Sequence, residues 1–188
     1  SNRLIKLVEN VLAVSKVQSK ENYVYKSVSA NSSIKAVIPI VQQQYKTHKI
    51  VTEFNEKLPP IVVDNNNFQQ IIINLVENAC KYSKQGSEVR IKTDFAPNDF
   101  VSIKIIDHGV GIKDDDKERI FEKFSRIDNP LTREVQGSGL GLFITKNLVE
   151  NMNGKINVES SENGTTFEVL MPIGDIENQA RAKCTPKH

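Results

Sequence analysis

The order of its periodic segments predicts an α+β fold, an antiparallel or mixed sheet with helices on one face. Three observations lead there. A long amphipathic run spans 64–83. Two pairs of alternating segments, 88–95 with 100–107 and 155–160 with 165–172, are each joined by a short polar turn. Helical patterns lie between these hairpins, and no internal repeat is evident. The 188 residues suffice for one domain of ordinary size plus an appendage.

Residues 1–20 read as helix, because Leu4, Ile5, Val8, Val11 and Leu12 recur at three- and four-residue steps. Such a stripe must pack on something, which predicts half of a helical hairpin whose first half is absent, or else a helix packed on its own domain. Residues 21–31 read as a polar connector. A helix is expected from Ser32 or Ser33 to about Lys49, with Pro39 a complication. Residues 50–56 alternate as a strand, and "LPPIVVD" is a turn followed by a short strand. In the 64–83 helix Asp64 or Asn65 is the cap, and Phe68, Ile71, Ile72, Leu75, Val76 and Ala79 form the buried face. Residues 114–124 predict a short helix with acids at its start, placing Phe121 and Phe124 on one packed face. Residues 125–138 predict a loop. "LGLFITKNLVENMNG" predicts a helix stopped by Gly154, and from Gly174 the tail is polar.

Charges nearly cancel, leaving +2, so the marked basic excess of a nucleic-acid binder is missing. No apolar run approaches the roughly 20 residues that span a bilayer, and a cytoplasmic location is expected, with a longer parent that a membrane could anchor. Cys80 and Cys184 are far apart, as free thiols would be. His48, His108 and His188 lack metal-ligand spacing.

The candidate chemistry lies in short stretches. At 100° per residue, Asn74, Asn78 and Lys81 share a stripe about 60° wide, away from the apolar face. An Asn carbonyl suits Mg²⁺ and a Lys suits phosphate; a solvated polar face has the same pattern. In "IIDHGVGI" a carboxylate ends a strand and glycines follow, which suits acceptance from a purine amino group or a plain turn. Arg126 enters the loop after "FEKFS", where it can fork onto a phosphate or be a surface charge. "GSGLGLF" puts glycines before a helix start, where free N–H groups meet an anion. In "ENGTTF", Gly164 turns and Thr165 joins a pocket or caps the turn.

Their order is specific: "NLVENACKYS", "DHGVGI", "FEKFSRID", "GSGLGL", "GTTF". Over residues 30–173 the chain resembles the catalytic, ATP-binding domain of sensor histidine kinases, within the superfamily (GHKL) that includes gyrase-type and Hsp90-type ATPases. These stretches correspond to its N, G1, F, G2 and G3 boxes. The resemblance implies a two-layer α/β sandwich, the Bergerat fold, preceded by one long helix. It implies that Asn78 ligates Mg²⁺, with Asn74 beside it near the phosphates. Lys81 would contact phosphate, Tyr82 the sugar or base, and Asp107 the adenine amino group. Gly109, Gly111 and Ile112 would close over the base, with Thr165 backing Asp107. Residues 125–138 would form the ATP lid, with Arg126 near the γ-phosphate. Gly137 would open the run Ser138, Gly139, Leu140, Gly141 and Leu142, whose N–H groups meet the phosphates. Asn74, Lys81 and Arg126 are the implied catalytic set.

The implied activity is γ-phosphoryl transfer from ATP to a histidine on a dimeric helical hairpin, then onward to a response regulator receiver domain. Residues 1–22 resemble the second helix of that hairpin. None of the three histidines stands in the acceptor pattern H-[E/D]-x-x-[T/N]-P. Asn74 stands where the ATPases carry a catalytic Glu, which favours a kinase over a hydrolase. A catalytically silent nucleotide-binding or docking module is the competing reading, and an anti-sigma-type serine kinase a third.

Overall fold

The computed structural model describes residues 23–125 and 138–174. The expected opening helix, most of the expected lid and the tail beyond Gly174 lie outside the described residues. The elements are β1 (Tyr25–Val28), α1 (Ala30–Gln44), β2 (Lys49–Phe54), β3 (Ile61–Asp64), α2 (Asn65–Tyr82), β4 (Glu88–Ala96), β5 (Phe100–Asp107), α3 (Gly141–Asn151), β6 (Lys155–Ser161) and β7 (Gly164–Pro172).

Five strands form a mixed sheet in the order β2-β4-β5-β7-β6, with β2–β4 parallel and the other pairs antiparallel. A second, two-stranded sheet pairs β1 with β3. Strand β1 corrects the expected connector: Tyr25 pairs with Asp64 and Val28 with Ile61. Four residues are too few to show alternation, and the partner lies far along the chain.

Helix α1 also starts earlier than expected. Ser29 is its N-cap, accepting from the Ser32 N–H, and the helix ends at Gln44. Pro39 is tolerated inside it because it faces solvent, where the carbonyl it frees can meet water. Ile34, Val37 and Val41 form the buried stripe.

Helix α2 is the centre of the helical layer, packed between α1 and α3. Asp64 caps it, its Oδ1 accepting from Asn67 N–H at 3.0 Å while Oδ2 accepts from Val24 N–H at 2.9 Å. One carboxylate thus satisfies a helix start and anchors the approach to β1. Phe68, Ile71, Ile72, Leu75, Val76, Ala79 and Cys80 are buried against the sheet. Each fully buried Ile, Leu or Phe there contributes about 1.5–3 kcal/mol. The sheet answers with Val89 and Ile91 of β4, Val101, Ile103 and Ile105 of β5, and Phe167, Val169 and Met171 of β7. The strict alternation of β7 leaves Thr166, Glu168 and Leu170 on its other, half-buried face.

The segment expected as a helix at 114–124 is two 3₁₀ turns, Asp114–Asp116 and Arg119–Phe121. Successive acids repel, and only Ile120 in the turns is buried, too little to hold an α-helix. Phe121 and Phe124 do not share a packed face. Phe121 meets Phe167 edge-on at 6.4 Å, whereas Phe124 takes a left-handed φ of 61° and is 66% exposed.

Candidate functional site

Strand β5 ends at Asp107, whose carboxylate is buried at 5% exposure. Its Oδ1 accepts from the backbone N–H groups of Gly109 at 2.8 Å and Thr165 at 3.3 Å. Among the described residues nothing donates to Oδ2. The side chain is therefore fixed through one oxygen and presents the other as an acceptor. Burial pushes the carboxyl above its ordinary range, opposed by the Gly109 and Thr165 N–H groups and nearby His108.

The glycines around it are steric necessities. A Cβ on Gly109 would strike the Tyr82 carbonyl oxygen and lie 2.8 Å from Asp107 Oδ1. The closeness is real contact: Val110 N–H donates to the Tyr82 carbonyl at 3.3 Å, and Ser83 bridges Gly109. Gly111 has φ +70°, and a Cβ there would strike the Ser161 carbonyl. Ile112 follows, half-buried against the core. Opposite, a Cβ on Gly164 would strike the Asp107 carbonyl. Thr165 is buried, with its Oγ1 2.9 Å from Ser160 Oγ. Tyr82 is 40% exposed at the end of α2.

The polar stripe of α2 divides into differently held groups. Asn74 sits in the seam between α2 and α3. Its Nδ2 donates to Thr145 Oγ1 at 3.2 Å and approaches the Gly141 carbonyl at 3.5 Å, while its Oδ1 accepts from Gln70 Nε2 at 2.8 Å. Lys81 Nζ pairs with Glu77 at 3.1 Å, both side chains mostly shielded. The half-buried amide of Asn78 has no hydrogen-bond partner among the described residues.

The start of α3 is open. Its N-cap is Leu140, which gives no side-chain cap and is itself buried in the core. The first-turn N–H groups, from Gly141 and Leu142 on, have no intrahelical acceptor, and a Cβ on Gly141 would meet nothing within 4 Å. Ser138 Oγ accepts from the Leu140 N–H at 3.3 Å. Gly139, with φ +70°, lets the backbone approach Phe124 and Ser125: a Cβ would lie 2.7 Å from Phe124 C and 2.9 Å from the Ser125 carbonyl oxygen. Arg126 and Gly137 lie outside the described residues.

Helix α2 joins the two ends of the site. Asn74 touches α3, and eight residues later the Tyr82 carbonyl touches the loop after Asp107. That separation is about 12 Å along the axis. One end offers an acceptor to a donor-bearing ring edge. The other offers uncapped N–H groups, an amide and a lysine to anions and a hard cation. No group of three His, Cys, Asp or Glu side chains that could hold a metal occurs among the described residues, so a cation there would take Asn78, ligand oxygens and water. Sequence reasoning did not find Ser160, Thr145 or Gln70, which orient the candidate groups from behind. Ser and Thr are ordinary strand and helix residues, with no local pattern to mark them.

Comparison with known proteins gives three findings. The family model described as "Histidine kinase-, DNA gyrase B-, and HSP90-like ATPase" matches residues 63–175. The chain is 34% identical to the signal transduction histidine-protein kinase ArlS of Staphylococcus haemolyticus over 174 residues, 90% of this chain and 38% of that protein. It is 33% identical to ArlS of Staphylococcus epidermidis, over 92% of this chain and 38% of that protein. The chain thus spans well under half the length of these relatives. Among solved structures, full-length ShkA in complex with AMPPNP superposes with a TM-score of 0.79 at 25% identity, over 92% of this chain and 36% of that one. The mycobacterial sensor histidine kinase MprB shares the fold, with a TM-score of 0.69 at 23% identity over 79% of this chain and 97% of that one.

Proposed function

The chain belongs to the family of histidine kinase-, DNA gyrase B- and HSP90-like ATPases, and we propose that it is the ATP-binding catalytic domain of a sensor histidine kinase. The observation that carries this is Asp107. Its Oδ1 is spent on two backbone N–H groups, and among the described residues nothing donates to its Oδ2. An exocyclic amino group fits that oxygen and a 6-oxo group does not, so the site selects adenine over guanine by donor pattern. Tyr82 and Ile112 would flank the base, and Gly109 and Gly111 let the loop after Asp107 close onto the Tyr82 and Ser161 carbonyls.

The phosphates run along α2 towards the start of α3. There the N–H groups of Ser138–Leu142 receive them, aided by the helix dipole, with Lys81 as a point charge. Asn78 would hold Mg²⁺ through its amide carbonyl, and the ion would supply charge neutralisation for the phosphates. Arg126, outside the described residues, would by the family resemblance add a charge at the terminal phosphate. The γ-phosphoryl leaves its bridging oxygen on ADP and bonds to an imidazole nitrogen of the acceptor, which gives up its proton. Positioning and charge supply most of this catalysis. Asn74 cannot activate water: it is an amide whose nitrogen donates to Thr145 and whose oxygen accepts from Gln70. That favours transfer over hydrolysis. The acceptor is a histidine on a dimeric helical hairpin, and the next recipient is a response regulator receiver domain. No helix among the described residues is long and apolar enough to cross a membrane.

Calorimetric titration with a non-hydrolysable ATP analogue, with and without Mg²⁺ and with GTP as control, tests the proposal. Saturable, adenine-selective and Mg²⁺-dependent binding is expected. No binding would overturn the nucleotide reading and leave a docking module.

A further inference from the structure

Ser160 lies on the edge strand β6, opposite Thr165 in the β6–β7 register. Its hydroxyl reaches three pieces of chain at once. Ser160 Oγ accepts from Ile112 N–H at 2.8 Å, donates to the Gly164 carbonyl at 3.0 Å, and lies 2.9 Å from Thr165 Oγ1. A hydroxyl has one proton and two acceptor lone pairs. With its proton on Gly164, one lone pair takes the Ile112 N–H and the other takes the Thr165 O–H, so the group is saturated.

The partners are the two walls around Asp107. Ile112 ends the loop that begins at Asp107, and Gly111, just before it, is pressed against the Ser161 carbonyl. Gly164 and Thr165 form the opposite wall, and the Thr165 N–H holds Asp107 Oδ1. Before Gly111 that loop is tied at Gly109 and Val110. Beyond Gly111 the Ile112–Ser160 bond takes over.

We propose that Ser160 is a positioning residue for the purine end of the site, its hydroxyl clamping the 108–112 loop to the Gly164 turn so that Asp107 Oδ2 stays aimed at the base. The inference rests on the nucleotide reading above and deepens it. The clamp acts at the base and not at the phosphates, so its removal weakens ADP and adenosine alike.

The test titrates ADP and adenosine into the wild-type chain, Ser160→Ala and Ser160→Thr, and follows amide exchange at Ile112 without ligand. Ser160→Ala is expected to weaken both ligands by the same factor, about tenfold, or about 1.4 kcal/mol. It should also speed Ile112 exchange about tenfold, whereas Ser160→Thr, which keeps the hydroxyl, restores both. Undiminished binding by Ser160→Ala overturns the proposal. So does a loss seen with ADP but not adenosine, and so does a threonine variant as weak as the alanine one, which would trace the loss to strand packing. If the wild-type chain binds neither ligand, the nucleotide reading itself falls and takes this inference with it. The wild-type titration therefore separates the two failures.

Discussion

Replacing Asp107 with Asn changes one atom of the site and reverses its hydrogen-bond character. Oδ1 accepts from two N–H groups, so the Asn oxygen must occupy that position. The NH₂ group then takes the place of Oδ2 and points a donor at the donor of the adenine. The variant loses a charge-assisted bond of about 1.5–3 kcal/mol and leaves a buried donor unpaired at about 1–3 kcal/mol. Together these predict roughly a 10²- to 10⁴-fold loss of ADP affinity. Stability should move little, because burial already disfavours the charged carboxyl and the Asn oxygen keeps both backbone bonds. The same NH₂ suits a 6-oxo group, so preference for ADP over GDP should collapse. Titration of both nucleotides alongside a thermal melt reads all three quantities. Acid provides a check on sign: adenosine binds the ionised carboxylate, so wild-type affinity should fall as pH drops through a value above the usual aspartate pKa of about 3.9, a loss Asp107→Asn cannot show. A folded variant that binds ADP as tightly as wild type would refute the adenine assignment.

Asn78→Ala should abolish the Mg²⁺ dependence of ADP affinity while metal-free affinity stays near wild type; an unchanged dependence in calorimetry would place the ion elsewhere. Gly109→Ala forces a methyl against the Tyr82 carbonyl, and overpacking against backbone should cost about 1–3 kcal/mol in a chemical melt. A variant as stable as wild type would show that the α2-to-loop contact gives way freely. Burial raises the Glu168 carboxyl, but donors from Ser102, Lys104 and Asn157 outweigh it, and the group titrates below its ordinary range. Its contribution to stability is therefore fully present above the unfolded pKa of about 4.3 and is lost as pH falls through the lower folded value. A wild-type melting temperature that does not approach that of Glu168→Gln across this acid window would contradict the coupling.

Helix α2 was legible because its apolar residues keep a helical period for five turns and a capping carboxylate precedes them. The ends of β4 and β5 were legible from alternation on either side of a polar turn. Asp107 at a strand end followed from the same pattern, because the apolar alternation stops there and glycines begin. Strand β1 was not legible, since its evidence is a partner at Ile61–Asp64 and not a local period. Nor was the parallel pairing of β2 with β4, because alternation carries no direction. The run at 114–124 misled because Phe121 and Phe124 sit at helical spacing, while the burial that would enforce a helix is missing. Around the site, sequence marks the residues that face the cleft through unusual types: glycines, an acid, an amide pair. It does not mark Ser160 or Thr145, whose roles exist only once distant strands and helices meet.

The approach of Gly139 to Phe124 and Ser125 bears on how such a chain can diverge. The chain ends at Ser125 and Ser138 are thereby held close together, with Gly139 packed on Phe124 and Ser125. Changing the length of a chain between fixed ends is thermodynamically gentle, about 0.6 kcal/mol for each doubling of a flexible loop. Insertions and deletions can therefore accumulate between those two anchors while the sheet and the surroundings of Asp107 stay as they are. This stitch uncouples the length of that span from the packing of the domain that carries it.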